Sequence, residues 1–312
     1  MCGASPRHML GLADFIATHC ARAAAEEPRF WTVAPDEHIE QLSFHVLIAA
    51  CAVAADRFCW PPLRAAGAAA PAARDRYLGV ALLLWIPVNV LNKWLLQSFS
   101  IERVALEIGL LPCHVYSALA AFALLSGGAA RHGTLRSLLL YASWMPLMAL
   151  AFPDLASART VAATHPGRAN LIVCLFFAHH LLLLATPVYL LRTAVATRRG
   201  GGRDERLPPG RAFVRYVAFS YSYIGVGLCV AALATCRNLN YSLWPPKLPA
   251  TIVAQLGGAR YRVTIGVALA FVVGPAMAHV VLPLLSKIVG AVAAAARAKQ
   301  GAKEHNQKEK RG

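Results

Sequence analysis

The sequence predicts an all-α fold, a polytopic membrane helical bundle of about seven transmembrane helices, several of them kinked by proline. Three observations carry this expectation. The 312 residues are 57% apolar and only 15% charged, with a positive mean hydropathy, whereas soluble domains run nearer about 45–50% apolar and 25% charged. The apolar residues gather into windows of about 20, the length one bilayer crossing needs. Prolines 87, 112, 146, 187 and 275 fall inside five different windows, which suggests broken or kinked helices whose freed carbonyls face protein or a wet cavity.

In order, the windows are 42–60, 77–97, 104–127, 135–153, 170–191, 213–236 and 262–286. The first closes on Asp56 and Arg57 and carries His45; the second holds Pro87 and approaches its end at Lys93. The third passes Glu107 and then reads Pro112-Cys113-His114, and the fourth contains Pro146. The fifth, "LFFAHHLLLLATPVYLL", brings His179, His180 and Pro187; the seventh carries Pro275 and His279. Residues 1–41 are read as an N-terminal lumenal or extracellular segment, 42–286 as the seven-helix domain and 287–312 as a basic, disordered cytoplasmic tail. Asp14 interrupts the N-terminal apolar run, which argues against a cleaved signal peptide. Leu12, Phe15, Ile16 and Cys20 share one face of a candidate interfacial helix.

Seven crossings put the termini on opposite sides. Of the 31 Lys and Arg, 20 fall on the side of the 1–2, 3–4 and 5–6 loops and the tail, and 11 on the other. The positive-inside rule then gives a lumenal or extracellular N-terminus and a cytoplasmic C-terminus. The net charge of +16 sits in loops and tail, without a basic stripe interleaved with aromatics, so anionic lipid head groups are the expected partner and nucleic acid is not. The eight cysteines show no CxxC spacing, which leaves a zinc site or disulfide framework unsupported. Cys174, Cys229 and Cys236 are read as packing residues, and His45 and His279 as core or interhelical hydrogen-bonding histidines.

Ionisable groups inside a bilayer are costly and therefore point to function. Cys113 and His114 are neighbours, so on a helix they point about 100° apart and cannot pair with each other. The fifth span supplies a partner for the thiol in His179 or His180, which are likewise about 100° apart, so that one faces the interior. Spans three and five run in the same direction, and Cys113 and His180 both lie roughly 14–15 Å along them. A helix starting at Pro112, with Gly109 before it to let the chain break, places Cys113 in its first turn. A positive helix end with a nearby imidazole favours the nucleophilic thiolate, while burial opposes it.

"LLPCHVYSAL", "MALAFPDL", "FFAHHLLLLATPVYLL" and "NLNYSLWPP" occur in an order and spacing that resemble the transmembrane protein 164 family, related to bacterial YwaF-type integral membrane proteins, over about residues 80–285. That resemblance implies a seven-span, cysteine-dependent acyltransferase. Such an enzyme moves a polyunsaturated chain from phosphatidylcholine to a lyso-ether phospholipid without coenzyme A, metal or other cofactor. By residue match the catalytic cysteine falls on Cys113 and the histidine on His180, in the register that Pro187 and Tyr189 fix. His179 departs from the family motif and leaves the identity of the base open by one residue. The implied cycle passes through an acyl-thioester, with His114, His179, Asn238 and Asn240 as supporting or oxyanion-binding candidates. The 237–262 loop, with apolar "ATIVAQL" at its centre, is a lid, a re-entrant segment or an interfacial loop, and Asn240-Tyr241-Ser242 matches a glycosylation sequon. Endomembrane is the favoured location. The alternative from another class is a seven-helix transporter or channel with a histidine-lined central site. The lack of a visible internal repeat and of a mid-span carboxylate counts against it, and the short loops count against a receptor.

Overall fold

A computed structural model describes residues 14, 18, 35–61, 72–126, 133–153, 155–199, 207–235, 250–255 and 260–309. Among these there is no strand. Six helices are long and apolar enough to cross a bilayer: Glu37–Cys59, Ala73–Leu96, Gly133–Ala162, Pro166–Thr193, Pro209–Thr235 and Tyr261–Gln300. The pair Ile101–Leu110 and Pro112–Leu125, whose axes meet at 58°, is apolar enough to cross when taken together and, as one broken span, makes the seventh. The all-α, polytopic membrane expectation therefore holds. The candidate interfacial helix around Leu12–Cys20 lies largely outside the described residues, as does the sequon at 240–242. Of the 237–262 loop, only a short helix, Ala250–Gln255, and residues 260–262 are described.

The first span is α1, Pro35–Cys59. Next comes α2, Ala73–Leu91, which carries Pro87 inside it and widens into a π-turn at Asn92–Leu96. Arg168 tidies that end by donating to the carbonyls of Leu95 (2.6 Å) and Leu96 (2.9 Å). The third span is α3, Ile101–Leu110, and α4, Pro112–Leu125. Sequence reasoning gave Gly109 the task of letting the chain break, but Gly109 is an ordinary helical residue of α3. The break is at Leu111, extended at φ −71°, ψ 136°. A residue before proline is pushed out of the helical region by the proline ring, which is the physical reason.

The fourth span is α5, Gly133–Tyr141, then α6, Trp144–Ala151, and after a short interruption α7, Ala156–Ala162. Pro146 falls in the first turn of α6, where its missing N–H costs little. The long α8, Pro166–Arg199, is continuous through Pro187. The sixth span is α9, Pro209–Phe219, a π-helical stretch at Ser220–Gly227 and α10, Leu228–Thr235. The Ala250–Gln255 helix is α11, and the seventh span runs through α12, Tyr261–Ala268, α13, Gly274–Ala276, and α14, Leu282–Glu309, with π-turns between them. The stretch read as a disordered tail from residue 287 is thus helical through Glu309. "AVAAAARAK" is rich in the best helix former, Glu304 stands four residues before Lys308, and the segment extends a helix already nucleated.

The bundle is apolar outside, and its largely apolar core encloses a set of polar side chains. Leu47, Leu84, Phe122, Leu181 and Val272 face outward, while Asn89, His114, Ser117, His179 and Thr186 are buried. Such an arrangement suits hydrocarbon as solvent. α2 and α4 pack closely because Gly79 presents no side chain: a Cβ there would meet Leu125 Cγ at 2.7 Å. Ser117 fixes their register by donating to the Leu82 carbonyl at 3.1 Å.

Charged clamps mark both ends. At one, Asp56 of α1 receives Arg211 (2.7 Å) and both Arg215 Nε (2.9 Å) and a second Arg215 nitrogen (2.7 Å), tying the first span to the sixth. At that end also, Tyr189 donates to Asp75 at 2.6 Å and Arg192 to the Ser286 carbonyl at 3.2 Å. At the opposite end Glu107 is held by Lys93 and, at 2.8 Å, by Arg103. These pairings agree with seven alternating crossings. Asp56→Ala is expected to cost about 2–3 kcal/mol by leaving the buried Arg211 without its carboxylate. A thermal melt in detergent should show a clear fall in Tm, with Glu40→Ala, from an exposed pair with Arg260, unchanged.

Candidate functional site

The interruption at Leu111 creates a helix N-terminus inside the bundle. Pro112 occupies the first position of α4 and Cys113 the second, in agreement with the sequence expectation. Cys113 thus stands at the positive end of α4. His114 N–H reaches the Leu111 carbonyl at 3.0 Å. On the other side of the break, Tyr223 donates to the Leu110 carbonyl at 2.5 Å. Lys93, nearby at the end of the second span, is in electrostatic range of Cys113, His114 and His180.

Three histidines meet beside this helix end. His114 of α4 stacks on His179 of α8, with ring centres 5.5 Å apart and planes at 19°. Trp85 of α2 stacks on the same imidazole at 5.6 Å and 18°. His180 lies next to His179 at 5.2 Å and under Phe176 at 4.2 Å. All three histidines are buried. Asn89 Nδ2 donates to the Trp85 carbonyl at 3.0 Å and faces His179 Nδ1 at 3.4 Å. His180 Nδ1 donates to the Phe176 carbonyl at 2.8 Å.

The sequence brought Cys113 together with a histidine of span five. In the structure, His114 provides the ring contact with span five, and its partner is His179. No hydrogen bond joins the Cys113 thiol to His179 or His180 among the described residues. Asn238 and Asn240 lie outside those residues. No three His, Cys, Asp or Glu side chains among the described residues are arranged to hold a metal ion.

Four residues escaped sequence reasoning. Asn89 and Trp85 stand four apart on α2, and a screen restricted to ionisable groups passes over both. Tyr223 sits within a π-helical stretch that no periodicity announces. Arg262 forms a second buried polar cluster, donating to Gln41 at 2.8 Å and to the Cys229 sulfur at 2.7 Å. Cys229 is therefore more than the packing residue expected. His45 and His279 behave as expected: His45 Nδ1 bonds the Gln41 carbonyl at 2.6 Å, and Tyr141 bonds His279 Nε2 at 2.7 Å.

Tyr223→Phe leaves the Leu110 carbonyl without its donor in a setting where water is scarce. The expected cost is about 1–3 kcal/mol, read as a lowered Tm in detergent. Tyr77→Phe, on an exposed ring, should melt like the parent.

Comparison with known proteins agrees with these motifs. No curated protein and no solved structure matches the chain. The model of the TMEM164 family matches residues 35–278, from the start of α1 into the second π-turn of the last span. With most of the chain matched, and with the crossings that frame Cys113 and the histidines all inside the match, this multi-pass membrane protein belongs to the TMEM164 family.

Proposed function

We propose that the protein is a membrane-embedded, cysteine-dependent phospholipid acyltransferase that works without coenzyme A. The observation that carries this reading is the placement of Cys113 in the first turn of a helix that begins inside the bundle, beside a buried histidine cluster. The positive end of the helix dipole and the Lys93 ammonium both favour negative charge at that point.

His180 suits the role of base. A carbonyl only accepts, so the contact with Phe176 puts the ring proton on Nδ1 and leaves Nε2 of the neutral imidazole as a lone-pair acceptor. In the first half-reaction Nε2 takes the Cys113 proton, and the sulfur attacks the sn-2 ester carbonyl of a phosphatidylcholine. Collapse of the tetrahedral intermediate breaks the bond to the glycerol oxygen. That oxygen takes the proton from His180 and leaves as the hydroxyl of a lysophospholipid. In the second half, the free hydroxyl of a lyso-ether phospholipid gives its proton to His180 and attacks the thioester. The C–S bond breaks and the thiolate recovers the proton. The N-terminus is on the lumenal or extracellular side, the basic C-terminal helix meets anionic cytoplasmic head groups, and endomembranes are the favoured location.

The test uses purified protein in phospholipid nanodiscs with phosphatidylcholine labelled in its sn-2 chain and lyso-ether phosphatidylethanolamine as acceptor, without coenzyme A. Wild type should transfer label. Cys113→Ala should lose at least about 1,000-fold and His180→Ala about 100- to 10,000-fold. A hydroxylamine-labile acyl group should be found on Cys113. Failure of wild type across several acyl chains would sink the enzyme reading and turn attention to transport through the histidine-lined centre. Undiminished transfer by Cys113→Ala would overturn the mechanism.

A further inference from the structure

His179 and His180 are adjacent, both buried, and bonded through the same ring atom, Nδ1, to partners of opposite chemistry. For His180 that partner is the Phe176 carbonyl, which accepts. For His179 it is the Asn89 amide nitrogen. The orientation of that amide is fixed, because Nδ2 also donates to the Trp85 carbonyl at 3.0 Å. A primary amide nitrogen has two protons and no lone pair to offer. One proton goes to Trp85, the other faces His179 Nδ1, and Nδ1 must accept. The neutral His179 ring therefore carries its proton on Nε2.

We infer that Asn89 and the Phe176 carbonyl hold the two histidines in opposite tautomers, so that His180 offers an acceptor and His179 a donor, and that the His179 Nε2–H receives the substrate's carbonyl oxygen. The oxygen's identity rests on the acyl-transfer reading above. A second observation points to a ligand at this place. His179 Nε2 is buried and has no hydrogen-bond partner, and the same is true of Trp85 Nε1 on the stacked indole. Buried polar atoms are nearly always satisfied, so two orphaned donors on stacked rings ask for an explanation. Both can only donate, and an ester carbonyl can only accept. As the oxygen becomes an oxyanion, a donor already fixed in direction strengthens its bond without reorganising. Stacking against Trp85 and His114 holds the plane of His179, which keeps Nε2–H aimed. Asn89 is a positioning residue: it acts through His179.

This arrangement also separates the roles of the paired histidines. With Nε2 protonated, neutral His179 has no lone pair left to take the thiol proton, since Nδ1 is occupied by Asn89.

The measurement is ring-15N NMR of the full-length protein, labelled at histidine and held in nanodiscs. Assignments come from difference spectra of His179→Gln and His180→Gln. Unprotonated and protonated ring nitrogens resonate in well-separated regions. The expected result is a protonated Nε2 for His179 and a protonated Nδ1 for His180. The same tautomer in both rings overturns the inference, whatever the transfer assay gives. In Asn89→Asp the carboxylate accepts, so the His179 proton should move to Nδ1 and the signature invert. Transfer should fall roughly 100-fold or more in kcat with KM little changed. Asn89→Leu, which buries no charge, should also lose transfer; full transfer in a folded Asn89→Leu overturns the donor role. If the tautomers are as stated but wild type transfers no acyl chain, the acyltransferase reading fails and the tautomer assignment stands.

Discussion

Pro112 has no N–H to give, and the hydrocarbon of a bilayer offers no water to replace the hydrogen bond it forgoes. Most of what surrounds Cys113 can be understood as a response to that constraint. Leu111 is driven to extended backbone, so α3 stops and α4 starts anew. A helix that stops leaves carbonyls, and one that starts leaves N–H groups. Tyr223, from a distant π-helical stretch, satisfies the Leu110 carbonyl. On the opposite side of the break, the Leu111 carbonyl takes the N–H groups of His114 (3.0 Å) and Val115 (3.1 Å), and Cys113 stands in the first turn of the new helix. A single residue that cannot donate thus converts a plain crossing into one with a helix start inside the bundle.

The rest of the bundle keeps that place in register. The Asp56–Arg211–Arg215 clamp and the Lys93–Glu107–Arg103 clamp sit at opposite ends of the crossings. Between them, close packing at Gly79 brings α2 against α4, which is how Trp85 and Asn89 come to stand beside histidines from two other spans. The chemistry of the site is accordingly distributed over three crossings, and none of them alone holds more than two of its polar groups in mutual contact.

Much of the fold was legible in the sequence because its solvent imposes a coarse rule: about 20 apolar residues make a crossing, and six of the seven windows are single apolar helices of that length, the third being a bent pair. The helix start at Pro112 was legible too, since the proline rule is local. Misreadings arose where a neighbour in space or in the helix decides. Gly109 looked like the breaker, yet the effect of Pro112 falls on Leu111. The Lys- and Arg-rich end looked disordered by composition, yet it inherits a nucleus from the seventh span. Cys113 and His180 could be placed at matching depth, but which imidazole touches His114 depends on helix rotation, and rotation is set by tertiary packing. Asn89 carries no charge and so gave no signal at all, although it decides which nitrogen of His179 bears the proton.

The 58° turn at Leu111 has a consequence for which lipids can meet the sulfur. α3 has ten residues, about 15 Å of helix. With α4 upright in the bilayer, the turn lets α3 descend only about 8 Å, because the rest of its length runs sideways. The sulfur then lies about midway between the midplane and the surface of the leaflet bearing Lys93 and Glu107, and on that leaflet's side. An ester of that leaflet reaches it by a short lateral step; one from the opposite leaflet would first have to flip. If Cys113 exchanges acyl chains as proposed, that leaflet supplies them first, and its chain composition would change before the other's.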